Sequence, residues 1–157
     1  ISVSNNVFRA WRKFTYPNNK KDLAKILPFI RHPEMALAVW LMDDGYAEPS
    51  YSKLADGTKK NYGARLRIFT CDQTLETQAV IIKWLSVNFN INAKILFSKK
   101  GDKKYPYLKI NQKDSLLIWE KIRSFVLTFK SMRIKFRYME SIYQYRMAQC
   151  VPSLIAV

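Results

Sequence analysis

Two adjacent aspartates, Asp43 and Asp44, occupy the position in this sequence that most strongly suggests chemistry. They follow an apolar run at residues 35–42 and are followed at once by Gly45, a residue type that commonly ends helices. The run predicts a buried helix, whose carbonyl end carries partial negative charge. Two carboxylates at that end oppose the helix dipole, so a positive partner, most simply a metal ion, is expected beside them.

Other common catalytic and metal-binding arrangements are disfavoured by what the sequence lacks. Cys71 and Cys150 are far apart, and neither belongs to a CxxC pair. His32 is the only histidine, so a zinc site has too few ligands and a catalytic triad has no supporting motif. The glycines form neither GxGxxG nor a P-loop. Carboxylates, lysines and arginines remain for chemistry.

The charge balance of the chain indicates the kind of partner it binds. Across 157 residues, 27 Lys and Arg outweigh 12 Asp and Glu, which gives a net charge of +15. An excess of this size predicts a polyanionic partner, with nucleic acid first and a membrane surface second. No apolar run approaches the roughly 20 residues that span a bilayer, and we expect nucleic acid rather than a membrane as the partner. The hydrophobic content of 48% predicts a folded globular domain.

Apolar periodicity divides the chain into short helices and strands. Helices are predicted at residues 7–14, 22–29, 33–44, 72 or 74 to 89, 114–126 and about 138–149. Strands are predicted at residues 64–70, 91–98 and 105–111, with a basic hairpin loop at residues 99–104. A strand starting near Tyr46 is only weakly indicated, and residues 48–63 are predicted as a polar, turn-rich stretch. This order predicts an α+β fold, with an antiparallel sheet and helices on one face.

The other face of the predicted sheet is basic and aromatic. Its side chains are Arg65, Arg67, Lys94, Tyr105, Tyr107, Lys109 and Asn111, and the hairpin loop adds Lys99, Lys100, Lys103 and Lys104. No acidic residue occurs on these predicted strands, although a solvated sheet face normally carries both signs of charge. An antiparallel ribbon can enter the major groove, where some side chains bind phosphates and others reach base edges. The set therefore predicts a nucleic-acid surface.

The sequence LAVWLMDDG at residues 37–45 resembles, in register, the motif of the LAGLIDADG homing endonucleases. Its WLMDDG form is similar to the second motif of two-motif, single-chain members. The resemblance continues through residues 65–70, the helix at 74–89, the hairpin at 91–111 and the segment 131–136. The family implies an αββαββα fold, a saddle-like antiparallel sheet that lies on DNA, and two motif helices packed against each other.

The resemblance also implies the residues of an active site. Asp44 stands where the family has the acid that binds Mg²⁺ or another divalent cation between the scissile phosphates. Lys135 falls where second repeats carry a basic residue near the active site, so both residues are expected to be catalytic. Asp43 replaces an alanine of the family motif. The side chains expected to face the partner helix are Leu37, Ala38, Leu41 and Met42.

Only one motif is present, so the motif helix needs a partner to cover it. A homodimer and a complex with a separately encoded first half both satisfy this need. The leading interpretation is a site-specific, metal-dependent endonuclease that cuts double-stranded DNA. The alternative is a non-catalytic RNA-binding descendant, such as an intron-splicing maturase or a structural component of an organellar ribosome. A basic interaction module without a metal is a third possibility.

The resemblance divides the chain into three parts. Residues 1–32 are interpreted as an N-terminal helical extension, of which residues 8–30 resemble the tail that links the halves of two-motif enzymes. Residues 33–149 are the LAGLIDADG domain, and residues 150–157 are a C-terminal tail. The abundance of Lys, Asn, Ile, Tyr and Phe suits a gene in AT-rich DNA, so a mitochondrial or other organellar location is expected.

Overall fold

A computed structural model describes residues 6–150 as one α+β arrangement. In chain order, its elements are α1 (Asn6–Thr15), α2 (Leu23–Ile26), α3 (Pro33–Asp44), β1 (Gly45–Lys53), β2 (Lys59–Phe69), α4 (Leu75–Phe89), β3 (Ala93–Lys100), β4 (Lys103–Ile110), α5 (Gln112–Val126), α6 (Lys130–Lys135) and α7 (Arg137–Cys150). Short 3-10 helices occur at Pro17–Asn19 and Leu27–Phe29. No helix within the described range is long and apolar enough to cross a membrane. Except for Cys150, the predicted tail at residues 150–157 lies outside this range.

The four strands form one antiparallel sheet in the order β1-β2-β4-β3. From α3 to α5 the elements follow the αββαββα order, so the predicted fold class is confirmed. The inner sheet face packs against the helices, and its fully buried side chains are Ala47, Ala64, Leu66, Ile68, Leu108 and Ile110. Because side chains alternate along a strand, Arg65, Arg67, Lys94 and Lys109 lie on the opposite face, which we call the outer sheet face.

The first two strands are longer than the sequence predicted. β1 starts directly at Gly45 and β2 starts at Lys59, so most of the stretch predicted as turns is strand. Pro49 makes β1 hard to recognise from the sequence, because proline cannot donate a backbone hydrogen bond to a neighbouring strand. Since β1 is an edge strand, a missing donor on its open side is tolerated. A register shift between Ser50 and Tyr51 further interrupts the alternation that sequence analysis relies on.

Capping residues set the starts of two helices. Thr74, one of the two predicted starts, caps α4 by accepting a hydrogen bond from the backbone N–H of Thr77, whereas the start of α5 differs from the predicted Asp114. Asn111 caps α5 in the same way, because its side-chain oxygen accepts the backbone N–H of Asp114 at 2.9 Å. Each cap satisfies a helix N–H group that would otherwise lack a partner.

The hydrophobic core lies between the inner sheet face and the helices. Its fully buried side chains include Leu37 and Leu41 of α3, as well as Trp119 and Phe136. Leu23 and the adjoining segment also contribute to this core cluster. The N-terminal segment therefore packs onto the same core as the helix that carries the aspartates.

A partly buried polar network joins α5 to α7. The Trp119 indole N–H donates to the Glu140 carboxylate at 2.8 Å, the Gln144 amide donates to it at 2.7 Å, and the Arg123 guanidinium forms an ion pair with it. Burial alone would raise the pKa of Glu140, but these hydrogen bonds outweigh burial and lower the pKa below its usual value. The network fixes how α7 sits on the core.

Candidate active site and nucleic-acid interface

The junction between α3 and β1 places the two aspartates at the edge of the sheet. Gly45 is buried, and a Cβ built there would lie 2.4 Å from the backbone oxygen of Leu41 and 2.6 Å from its Cα. Only glycine therefore allows the strand to start so close to the end of the helix. This close turn places Asp44 immediately before the sheet.

Asp43 and Asp44 are both exposed at the carbonyl end of α3. Neither carboxylate has a hydrogen-bond or ion-pair partner among residues 6–150. No group of three or more His, Cys, Asp or Glu side chains suited to a metal ion occurs in the same range. One chain thus offers carboxylate oxygens at this point but not a complete metal site.

Lys135 lies beside these aspartates, as its predicted role requires. Its ammonium donates to the backbone oxygens of Met42 at 2.5 Å and Asp43 at 3.2 Å. Burial lowers the pKa of Lys135 below its ordinary value, and the nearby carboxylates of Asp43 and Asp44 offset part of that shift. The structure therefore brings Asp44 and Lys135 together, although 90 residues separate them in the sequence.

Packing of the next residue along the chain holds Lys135 in place. Phe136 is fully buried, and its ring centroid lies 5.5 Å from that of Trp119. The ammonium at the end of α3 also complements the negative end of the helix dipole. This cation supplies some of the positive charge that is expected beside the two aspartates.

The face of α3 available to a partner differs from the predicted one. Leu37, Ala38 and Leu41 are buried in the chain's own core, with exposed fractions of 0%, 1% and 0%. A partner helix cannot contact them in this structure. The exposed apolar side chains of α3 are instead Met35 at 55% and Val39 at 44%. These two residues and Asp43 are spaced four apart, so they form one stripe along the helix.

A groove of about 400 Å³ runs beside this stripe. It is largely apolar, and its lining residues include Leu23, Ile26, Met35, Val39, Trp40 and Trp84. Asp43 and Asp44 also line it. Exposed apolar grooves of this kind mark interaction sites or ligand-binding grooves.

The outer sheet face carries most of the predicted nucleic-acid residues. Lys94, Lys109 and Arg67 form a row of cations across three strands, because Lys94 is opposite Lys109 and Lys109 is opposite Arg67. Arg65 lies on the same face of β2, two residues from Arg67. Like charges placed opposite each other destabilise a sheet. The row therefore favours a polyanion on this face.

Lysines also lie opposite lysines on neighbouring strands at the tips of both hairpins. Lys99 is opposite Lys104 and Lys100 is opposite Lys103, while Lys53 is opposite Lys59 in the other hairpin. Because β2 and β4 are antiparallel and pair only near their ends, the two tips lie at opposite ends of the sheet. At about 3.3 Å per residue the tips are up to about 45 Å apart, which is roughly 13 base pairs of duplex.

Two predicted nucleic-acid residues are occupied by contacts within the protein. Tyr107 is only 7% exposed, and its ring lies under the Arg67 guanidinium at 4.8 Å. Asn111 uses both ends of its amide, since its oxygen caps α5 and its nitrogen donates to the Asp114 carboxylate at 2.8 Å. Tyr107 therefore supports Arg67, and Asn111 starts a helix. Tyr105 is partly exposed on the outer face, opposite Ser98.

The residues that β1 adds to the outer face are absent from the set predicted from the sequence. Tyr46 is 43% exposed there, and Glu48 forms ion pairs with both Arg67 and Lys109. The absence of acids on the predicted strands therefore does not hold for the sheet as a whole. The alternation of polar and apolar side chains at Tyr46, Ala47 and Glu48 indicates a strand, but Pro49 interrupts the pattern.

Comparisons with known proteins agree with this arrangement. A model of the LAGLIDADG DNA endonuclease family matches residues 1–117. No curated protein matches the chain. Among solved structures, the chain is similar to the homing endonuclease I-WcaI bound to its DNA recognition sequence, with 26% identity and a TM-score of 0.63. The similarity covers 82% of this chain and 51% of that one, so the chain spans about half the length of this endonuclease. The chain belongs to the LAGLIDADG DNA endonuclease family, as its motif indicated.

Proposed function

We propose that this chain is one half of a site-specific, metal-dependent endonuclease that cuts double-stranded DNA. The observation that carries the proposal is the position of Asp44, exposed at the end of an apolar helix and beside the Lys135 ammonium. The first strand of the sheet that carries the basic outer face begins at the next residue, Gly45. The protein would act as a homodimer or with a complementary first-half chain.

The residues at the end of α3 fit a divalent cation that is shared with other molecules. Mg²⁺ is usually held by one or two carboxylates, and waters and phosphate oxygens complete its coordination. Asp44 would supply such a carboxylate, and the partner half and the DNA would supply the other ligands. When bound, the ion would activate a water molecule and stabilise the leaving oxygen.

Lys135 would act on the DNA phosphate directly. An ammonium has three N–H donors, and two of them already point at the carbonyl oxygens of Met42 and Asp43. The third is available to a phosphate oxygen near Asp44. Because its position is fixed by helix-end carbonyls, this donor would stabilise developing negative charge with little reorganisation.

A second half is needed because the active-site helix is only partly covered. The stripe of Met35 and Val39 and the groove beside it leave apolar surface open. In a homodimer, this stripe would meet its own copy across a twofold axis. Asp43 and Asp44 of both copies would then approach each other, a repulsion that a cation relieves.

The partner can be tested by measuring the native mass of the purified chain with and without duplex DNA. For a homodimer, Val39→Glu should shift the mass towards the monomer, because a charge would be buried in the seam. Val87→Glu is the matched control, since Val87 is 75% exposed on α4. Equal dimer fractions for both variants would exclude a seam through Val39. A wild-type chain that is monomeric even on DNA would indicate a separate first half.

The competing proposal is a non-catalytic RNA-binding protein. The observation that favours it is the single motif, together with Met42 in place of the first aspartate of the family motif. The same cations would then hold an RNA backbone. Tight RNA binding that EDTA leaves unchanged, combined with no cutting of duplex DNA in Mg²⁺, would select this function over the endonuclease.

A further inference from the structure

Glu48 is the single acidic residue on the four strands that the structure describes, and it lies on the outer sheet face beside Arg67 and Lys109. Its carboxylate receives the Arg67 Nε–H at 2.9 Å, and Arg67 Nη2 donates to its second oxygen. The Lys109 ammonium lies 3.4 Å from the same carboxylate. The three side chains are only 22–26% exposed, so this cluster joins β1, β2 and β4 in a partly desolvated setting.

Two contacts within the protein fix the Arg67 guanidinium, one along an edge of the planar group and one on its flat face. Glu48 binds the edge formed by Nε and Nη2, and the Tyr107 ring covers one face at 4.8 Å. Arg67 makes no further hydrogen bond to a group among residues 6–150. A guanidinium has five N–H donors in a rigid fork, so the edge formed by Nη1 and Nη2 has no acceptor within the described residues, and the two contacts fix its direction.

The cluster also changes the charge that DNA would meet. Without Glu48, Arg67 and Lys109 would be two adjacent cations in the row that also includes Lys94. Mobile cations of this kind bind phosphates of any sequence. With Glu48 in place, part of that charge is cancelled within the protein. What remains is an oriented donor pair, which matches the O6 and N7 acceptors of guanine in the major groove.

The geometry points to Glu48 as a specificity-determining residue that positions Arg67 to read a guanine and suppresses sequence-independent binding by Arg67 and Lys109. This inference rests on the proposed binding of DNA to the outer sheet face. Under this inference, the charged side chains of the sheet have two opposite effects on DNA binding. The lysine hairpins bind phosphates, whereas the Glu48 cluster reduces affinity for wrong sequences.

The test compares wild-type protein with Glu48→Gln on mixed-sequence duplex DNA over a series of salt concentrations. Each phosphate contact adds about 0.9 to the steepness of log affinity against log salt. In Glu48→Gln, Arg67 and Lys109 lose their carboxylate partner and can contact phosphates instead. The slope of log affinity against log salt should therefore steepen by about 1–2, and the affinity for duplex DNA at low salt should rise several-fold. Glu120→Gln is the matched control, because it removes an exposed acid from α5, away from the outer sheet face.

A second readout is the sequence preference selected from a randomised duplex library. Glu48→Gln should weaken a guanine preference at one position. Arg67→Lys, which keeps the charge but loses the fork, should abolish that preference. The inference is overturned if Glu48→Gln matches Glu120→Gln in salt slope and selected sequences. Failure of the wild-type chain to bind duplex DNA would instead overturn the proposed function, so the two failures are distinguishable.

Discussion

Replacement of Gly45 by alanine should destabilise the protein through one identifiable contact. Gly45 has φ −92° and ψ 162°, values that alanine adopts without strain. The added Cβ would nevertheless meet the Leu41 backbone oxygen at 2.4 Å, its Cα at 2.6 Å and its Cδ2 at 2.7 Å. Leu41 is fully buried and cannot move aside without disturbing the core. Overpacking of this kind costs about 1–3 kcal/mol.

The expected loss for Gly45→Ala, about 2 kcal/mol, corresponds to a fall in Tm of about 4–8 °C for a chain of this size. Thermal unfolding followed by circular dichroism would measure it. Gly63→Ala is the control, because the nearest atoms to a Cβ there belong to the end of the Gln112 side chain, which can rotate away. The reasoning is wrong if the two variants unfold at the same temperature.

Two further predictions follow from the shifted pKa values. Asp44→Asn should lower the pKa of Lys135 still further, because a neighbouring carboxylate that favours the ammonium is lost; NMR titration of the lysine side chains would show it, and an unchanged or higher value would contradict it. Glu140→Gln should destabilise the protein by about 2 kcal/mol at neutral pH, because the partly buried Arg123 loses its ion pair. Since the folded pKa of Glu140 is lowered, its stabilisation is present above the unfolded pKa and is lost as pH falls through the folded pKa. Urea unfolding should therefore show the difference between wild type and variant shrinking in acid, and a difference independent of pH would contradict this assignment.

The sequence was a good guide to the sheet where the alternation of side chains was uninterrupted. The run from Ala64 to Phe69 reads as a strand because Ala64, Leu66 and Ile68 face the helices and the arginines between them face away. β1 could not be read in this way, because Pro49 and the irregularity at Ser50 break the pattern within nine residues. The edge position that makes proline tolerable is a tertiary feature, and the local sequence does not contain it.

The orientation of the motif helix was the other property that local sequence could not supply. α3 is apolar on nearly every side, so periodicity does not distinguish the face that meets the core from the face that meets a partner. Packing against the sheet and α5 decides it, and it buries Leu37 and Leu41 while exposing Met35 and Val39. In contrast, the resemblance predicted that Asp44 and Lys135 lie near each other, and the fold brings the two residues together.

The role of single residues on the outer sheet face also depends on neighbours far along the chain. Tyr107 was predicted to contact nucleic acid because it alternates with Leu108, but Arg67 and Phe69 of another strand cover its ring. The ion pairs of Glu48 could not be predicted from local sequence for the same reason, because Arg67 is 19 residues away on β2 and Lys109 is further away on β4. Charge and alternation predicted the surface, and the contacts between strands decided which side chains are available.

The most direct test of the account is DNA cutting by Asp44→Asn. The substrate would be the duplexes that the wild-type chain enriches from a randomised library, incubated with Mg²⁺ and, where native mass requires it, with the complementary half. We expect cutting by the wild type, none by Asp44→Asn despite unchanged DNA affinity, and retained cutting by Asp43→Asn. Cutting by Asp44→Asn at the wild-type rate would contradict the claim that α3 delivers a catalytic carboxylate to the DNA.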